Sequence, residues 1–184
     1  AGIEPFVEQL AAPTATPGGG SASAAAGAMA AGLAVMVAGM SRGKKAYVQY
    51  ETQLSVAIAS LTPLGDELKA SIDADAESYN SVMKAYKAAK ATDEKSGEML
   101  IDAALKGATA VPLSVAEKVY EVAQIVKMLE PITNPNMKSD LTTASALAGA
   151  AMAGALANVE INLASLKDES FAADVRRRTS RLRS

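Results

Sequence analysis

The sequence contains no cysteine, no histidine and no tryptophan, and only five tyrosines and two phenylalanines. Without cysteine there are no disulfides, thiolate-bound metals, iron–sulfur clusters or thiol nucleophiles, and the chain suits a reducing, cytoplasmic setting. Without histidine a Ser-His-Asp triad, an imidazole-bound metal and an imidazole general base are all excluded. Acid–base chemistry near neutral pH then falls to Asp, Glu, Lys or Tyr, or to water. So few aromatic rings leave little for stacking nucleobases, and no nucleic-acid partner is expected.

What is present fits one domain spanning 1–184, long enough to bury roughly two-thirds of the surface of its unfolded chain. The formal net charge of −2 is unevenly spread, because Arg176, Arg177, Arg178, Arg181 and Arg183 crowd the last nine residues. That segment either touches nucleic acid or an anionic surface or forms the solvated face of a terminal helix, and the last reading is preferred.

Strand signals are nearly missing, whereas helical periodicity runs almost end to end, so the expected fold is an all-α helical bundle. The spacing predicts a short helix from Ile3 to Ala11 and a loop from Pro13 to Gly20. A long Ala/Gly/Met helix should run from Ser21 to about Met40, broken by Ser41-Arg42-Gly43-Lys44-Lys45. Pro63, after a helix from about Tyr47 to Leu61, reads as the first turn of a new helix reaching Lys90, and Pro112 as the first turn of another ending near Glu130. Thr92-Asp93-Glu94 looks like a helix start between them. Ser139 and Asp140 read as the cap of a second Ala/Gly helix, and Asp168 as the start of the last.

The two Ala/Gly-rich helices are the expected core of the bundle, with the longer helices around them. Ala22 to Met40 has only Ser23 as a polar side chain, enough residues for a membrane span. Alanine and glycine offer little transfer energy, however, so close packing in a core is preferred and no membrane partner is expected. Glycine within a helix costs roughly 0.5–1 kcal/mol relative to alanine, so several of them imply a reason in packing or function. So thin a central pair also leaves room for contact between subunits, and a homodimer is expected.

Pro17-Gly18-Gly19-Gly20-Ser21 is the strongest local signal for a site. Three glycines allow close backbone approach, and a helix start presents unpaired N–H groups, so this is either an anion or carbonyl site or a tight loop entering a crowded core. It is not a Walker A loop. Arg42, Lys44 and Lys45 at the other end of that helix either complement its C-terminus or grip substrate carboxylates. Asp75 interrupts the apolar stripe Ile72, Tyr79, Met83, Tyr86, and a carboxylate there needs a partner, a proton or a function. Asn136, Ser139 and Asp140 form a polar turn that is either an ordinary cap or a pocket wall. Asn158 and Asn162 share a helical face and either orient a ligand or bridge the two core helices.

With those residues assembled, the chain resembles the cyclodeaminase/cyclohydrolase family, which includes the C-terminal domain of formiminotransferase-cyclodeaminase and stand-alone methenyltetrahydrofolate cyclohydrolases. The resemblance rests on Pro13-Thr14 through Pro17-Gly18-Gly19-Gly20-Ser21 to Ser23, Gly43-Lys44-Lys45 with Tyr47, and Asp75 with Tyr79, Val82 and Met83. Ala110 to Leu113, Asn136 with Ser139-Asp140, and Asn158-Val159 with Asn162-Leu163 complete it. Two departures stand out: Pro63 lies where the family keeps an unbroken helix, so a kink is expected, and Ser184 falls early in what looks like a longer terminal helix.

The resemblance implies an all-helical fold, a homodimer, no metal, no prosthetic group and a one-carbon tetrahydrofolate derivative as substrate. It implies hydrolysis of 5,10-methenyltetrahydrofolate to the 10-formyl form, or ammonia release from 5-formimidoyltetrahydrofolate to give the methenyl form. No formiminotransferase domain lies within the 184 residues, which tilts the expectation towards the hydrolase. Asp75 is then assigned as proton acceptor, Lys44 or Lys45 as its acid partner, and the other lysine as a grip on the glutamyl tail. Asp140 with Asn136 would bind the pterin edge, and the triple-glycine loop would supply N–H groups. These roles require Asp75 and the two lysines to meet at one cavity. A non-catalytic dimeric folate-binding or scaffold protein is the rival reading.

Overall fold

The computed structural model describes residues 2–183, so Ser184, where the sequence suggests a helix cut short, lies outside the described residues. Six α-helices occur in the order α1 (Glu4–Ala11), α2 (Gly19–Ser41), α3 (Glu51–Ala89), α4 (Glu94–Leu129), α5 (Lys138–Ala164) and α6 (Glu169–Leu182). Short 3-10 segments cover Lys45–Tyr50, Glu130–Ile132 and Pro135–Met137. No strand occurs among the described residues.

Helices α2 to α5 form an up-down-up-down bundle in which α2 packs between α3 and α5, and α4 closes the far side. Ser21 of α2 meets Ile72 and Asp75 of α3, while Gly65 of α3 abuts Ala31, so these two helices run antiparallel. The core is divided by residue size. Helices α2 and α5 contribute Ala24, Ala31, Ala34, Ala144, Ala148 and Ala151, whereas α3 and α4 contribute Leu54, Leu61, Leu68, Val119, Val122 and Val126, all at most 1 % exposed. Small residues on the central pair let their backbones approach, gaining dispersion contacts that longer side chains would prevent. At Gly154 of α5 a Cβ would sit 2.2 Å from Ser23 Oγ, and at Gly27 of α2 one would sit 2.7 Å from Val119 Cγ2.

Three sequence expectations are corrected. Pro63 starts no helix, because α3 runs unbroken from Glu51 to Ala89 with that proline inside it. Proline removes the bond to the carbonyl four residues back, but Ala59 and Pro63 are both exposed and water can serve that oxygen. Pro112 likewise lies inside α4. There the freed acceptor is Ala108 O, which is buried, and the Asn162 side chain donates to it from α5 at 3.0 Å. A side-chain amide thus replaces the missing backbone donor. Third, neither Ser139 nor Asp140 caps α5, whose first residue is Lys138 and whose start carries no side-chain cap. The preceding turn is held by Asn134, which accepts from Asn136 N at 3.0 Å.

Other helix starts match their signals: Asp93 accepts from Ser96 N and Asp168 from Phe171 N, each at 3.0 Å. The basic segment forms the outer face of α6, where Arg178 pairs with Glu117 at 2.7 Å and Arg176 with Glu169 at 3.6 Å. By length and composition alone, Gly19–Ser41, Glu94–Ile132 and Pro135–Ala164 are long and apolar enough to cross a membrane. Alongside the middle of α2, however, α3 exposes Asp66, Glu67, Lys69 and Asp73. Hydrocarbon would have to desolvate those charges.

Candidate active site

At the end of the bundle where α2 begins, a cavity of about 350 Å³ opens between α2, α3, α4 and α5. Its floor is the helix start Gly18-Gly19-Gly20 with Asp75 from α3. Its apolar wall comes from Tyr79, Val82, Met83 and Tyr86 of α3, Leu105 of α4 and Ile161 of α5, and its polar far wall from Asn158 and Asn162. The size falls within the usual range for small-molecule sites.

Why the carboxylate sits there follows from three local features. First, Gly18 takes an extended conformation and α2 starts with no side-chain cap. The first backbone bond of the helix runs from Ala22 N to Gly18 O, so the N–H groups of residues 18 to 21 lack helical partners and make a partial positive charge. Second, Gly20 has no side chain, and a Cβ there would lie 2.0 Å from Asp75 Oδ1, 2.5 Å from its Cγ and 2.7 Å from Oδ2. Only glycine admits the acid so close. Third, Ser21, fully buried, places its hydroxyl 2.8 Å from Ile72 O and 3.0 Å from Asp75 Oδ2.

A hydroxyl carries one proton and two lone pairs, so this contact serves either charge state of the acid. With Asp75 ionised, Ser21 shares its proton between the two oxygens. With Asp75 protonated, the carboxyl donates to Ser21, which donates on to Ile72 O. The acid therefore gains or loses a proton without losing its anchor. No Lys or Arg lines this cavity or pairs with Asp75 among the described residues.

Asn158 donates its Nδ2 to Gly154 O at 2.8 Å, one turn back on its own helix, and Asn162 uses its Nδ2 on Ala108 O. Each amide nitrogen thus has one of its two N–H groups committed, which leaves on each side chain one N–H donor and the Oδ1 acceptor for a ligand. The sequence offered Asn162 as a bridge between the two core helices; its bond instead joins α5 to α4.

The remaining candidates lie elsewhere. Pro17 lines a neighbouring cleft with Phe6, Ile72 and Ala76, and Ser21 is behind Asp75 with no exposed surface. Arg42, Lys44 and Lys45 follow the C-terminus of α2, whose 23 residues put them about 35 Å from the glycines. Asn136, Ser139 and Asp140 are at that same far end, where Asn134 N bonds to Ser41 Oγ at 3.1 Å. Within one chain, then, Asp75 and the two lysines do not converge. Sequence reasoning also missed Thr16, Ser78, Leu105, Ala108, Ile161 and Ser165, which line the cavity. Ile161 and Ser165 follow Asn158 and Asn162 by three residues and were legible from helical spacing. Leu105 and Ala108 were hidden by the break expected at Pro112.

Comparison with known proteins agrees with this architecture. Residues 2–181 match the family model described as formiminotransferase-cyclodeaminase. The chain is 38 % identical over 172 residues to a methenyltetrahydrofolate cyclohydrolase of Methylorubrum extorquens, covering 92 % of this chain and 83 % of that protein. It is 36 % identical over 179 residues to the formimidoyltransferase-cyclodeaminase of Gallus gallus, covering 96 % of this chain but only 33 % of the relative; it spans about a third of such longer proteins. The crystal structure of formiminotetrahydrofolate cyclodeaminase from Thermotoga maritima superposes with a TM-score of 0.90 at 30 % identity, over all of this chain and 88 % of the other. Matched along nearly its whole length in sequence and in fold, the chain belongs to the formiminotransferase-cyclodeaminase family.

Proposed function

We propose that this protein hydrolyses 5,10-methenyltetrahydrofolate to 10-formyltetrahydrofolate. The observation that carries the reading is Asp75: an acid anchored by the Ser21 hydroxyl, at a helix start, in a cavity lined by no Lys or Arg among the described residues. The bridging carbon of the methenyl substrate lies in a cationic amidinium, so a carboxylate attracts it and a lysine would repel it. The carbon is already electrophilic, and the protein needs mainly to place a water and move protons.

Asp75 takes a proton as water adds to the carbon. The resulting oxygen faces the unpaired N–H groups of the α2 start. The bond from carbon to N5 then breaks, N5 receives one proton, and the other leaves to solvent, which balances one water added against one proton released. Tyr79, Met83, Tyr86 and Ile161 offer an apolar slot for the pterin, and Asn158 and Asn162 offer acceptors to its N–H edge. No metal or prosthetic group takes part in this reading. The protein works as a soluble, cytoplasmic homodimer, with the charged flank of α3 in water.

Decay of methenyl-tetrahydrofolate absorbance faster than the buffer rate is the expected result with purified protein, and decay at the buffer rate overturns the reading. Asp75→Asn should abolish the excess; full activity in that variant would remove Asp75 from the chemistry, whereas folate binding with decay at the buffer rate in the wild type would favour a folate-binding scaffold. A second reading, cyclodeamination of 5-formimidoyltetrahydrofolate, is favoured by the names of the Gallus and Thermotoga relatives. Ammonia released from the formimidoyl substrate, with no turnover of the methenyl one, would select it.

A further inference from the structure

A reduced folate makes opposite demands at its two ends. Its methenyl carbon is cationic, which the cavity suits, but its glutamyl tail carries carboxylates for which the cavity offers no cation. At this end of the chain Lys167 stands in an adjoining cleft with Tyr86 and Ser165. It is already ion-paired with Glu98, whose hydrogen bond, with the nearby charges of Glu94 and Asp102, raises its pKa. An anionic tail there would meet acids. Arg42, Lys44 and Lys45, by contrast, are exposed and form no ion pair among the described residues, but they stand at the far end of α2.

The outer faces of α2 and α5 suggest how the two ends meet. Met29, Met36 and Met40 of α2 are 41, 40 and 58 % exposed, and Ile161 of α5 is 68 % exposed. Ala146, Ala150, Ala153 and Ala157 of α5 are exposed along the same helix. Ile161 also lines the cavity, so this apolar surface runs up to the site. Gly32, Gly39 and Gly149 lie on it, and a Cβ at any of them would meet nothing within 4 Å. Each helical glycine costs roughly 0.5–1 kcal/mol relative to alanine. Nothing inside this chain asks for glycine there, whereas close approach by another helix does.

We infer that a second copy of this chain covers the α2/α5 face with its ends reversed, so that the partner's Arg42, Lys44 and Lys45 stand at the mouth of the Asp75 cavity and bind the glutamyl carboxylates of the substrate. A two-fold axis across the helices near Gly32, close to the middle of α2, lays α2 antiparallel on its mate and carries each cationic end to the other chain's acidic end. A two-fold axis along the helices would instead press the two cation clusters together. Charge complementarity selects the reversed arrangement. Each site is then complete only in the pair: pterin and acid from one chain, tail cations from the other.

This inference rests on the folate reading, and the test separates the two. Lys44→Ala/Lys45→Ala should raise KM about tenfold or more with little change in kcat, since charge-assisted bonds to the tail are lost. Mixed with Asp75→Asn protein and allowed to exchange subunits, it should regain activity at low substrate, because about a quarter of all sites then combine an intact acid with intact cations. Activity of the wild type without any gain on mixing overturns the shared site but leaves the folate reading standing. A geometric arm needs no substrate. The chain lacks cysteine, so Val48→Cys protein mixed with Ile161→Cys protein should form a disulfide-linked pair on mild oxidation. A monomer by light scattering, linkage of Ile161→Cys to itself alone, or recovery with lipid vesicles overturns the reversed dimer.

Discussion

Replacing Gly20 by alanine tests the construction of the site at one atom. The new methyl carbon would begin 2.0 Å from Asp75 Oδ1 and 2.5 Å from Cγ, whereas carbon and oxygen in ordinary contact stand roughly 3.5 Å apart. The carboxylate, or the helix start beneath it, must therefore retreat by more than about 1 Å, and a displacement of that size at a reacting group costs on the order of 100-fold in rate. The fold itself should hardly notice. Alanine gains roughly 0.5–1 kcal/mol over glycine in a helix, and the Ser21–Asp75 hydrogen bond that the retreat would disturb is worth about 1 kcal/mol, so the two changes nearly cancel.

The assay is methenyl-tetrahydrofolate turnover beside thermal melting, with Gly107→Ala as the matched control. Gly107 is an exposed glycine of α4 where an added Cβ meets nothing within 4 Å. The expected result is kcat down by about two orders of magnitude in Gly20→Ala and unchanged in Gly107→Ala, with both proteins folded. Wild-type kcat in Gly20→Ala would refute the claim that contact between this backbone and Asp75 places the acid. A cooperative loss of folding would refute the claim that the contact serves function over stability.

Three further outcomes follow from the geometry. Asn162→Ala should cost about 1–3 kcal/mol in urea unfolding, because Ala108 O is left buried without a donor; that cost should shrink by more than about 1 kcal/mol when Pro112→Ala restores the backbone N–H, and an additive double mutant refutes the exchange of donors. Gly154→Ala should destabilise by about 1–3 kcal/mol through its clash with Ser23 Oγ, and Ser23→Ala in the same chain should recover most of that loss, since only Ser23 Cβ at 3.4 Å then remains. Asp168 is held below its ordinary value of 3.8 by the hydrogen bond from Lys106 and by the Phe171 N–H. Its stabilising effect is therefore present above pH 3.8 and lost as the pH falls through the depressed value, so the urea midpoints of wild type and Lys106→Met should differ at pH 6 and converge in acid.

How far the sequence disclosed all this depends on whether a residue's partner is local. The triple glycine and Asp75 were legible because each breaks a rule of its own element: glycines at a helix start, and a carboxylate in an apolar stripe. Asp93 and Asp168 were legible for the same reason, since a cap bonds within its own turn. Pro112 was misread because its compensation comes from Asn162, 50 residues away on another helix, and propensity takes no account of a donor supplied by packing. Pro63 was misread because the solvent that satisfies Ala59 O leaves no mark in the sequence. The separation of Lys44 and Lys45 from Asp75 was available in principle. The sequence already set the cations at the other end of the first Ala/Gly helix, and a rod about 35 Å long from the glycines to Ser41 keeps them from meeting an acid beside the glycines.

That rod also accounts for why the chemistry sits at one end of the bundle. Along α2 glycines allow close approach to each neighbour in turn: Gly20 to the carboxylate of α3, Gly154 of α5 to the Ser23 side chain, and Gly27 to Val119 of α4 and Leu68 of α3. The last two contacts are apolar or neutral and, with Leu68 of α3 also against Gly27, draw three helices close around the first turns of α2. Close approach at Ser23 and Gly27 leaves α2 little freedom to shift when an acid is pressed against its start. A protein without histidine needs a group that exchanges protons near a developing charge, and a carboxylate beside unpaired N–H groups meets that need only if neither can relax away. The small residues of α2 therefore do more than thin the core: they hold the helix start firmly against Asp75, which one serine hydroxyl anchors, as the proposed role of that carboxylate as proton acceptor requires.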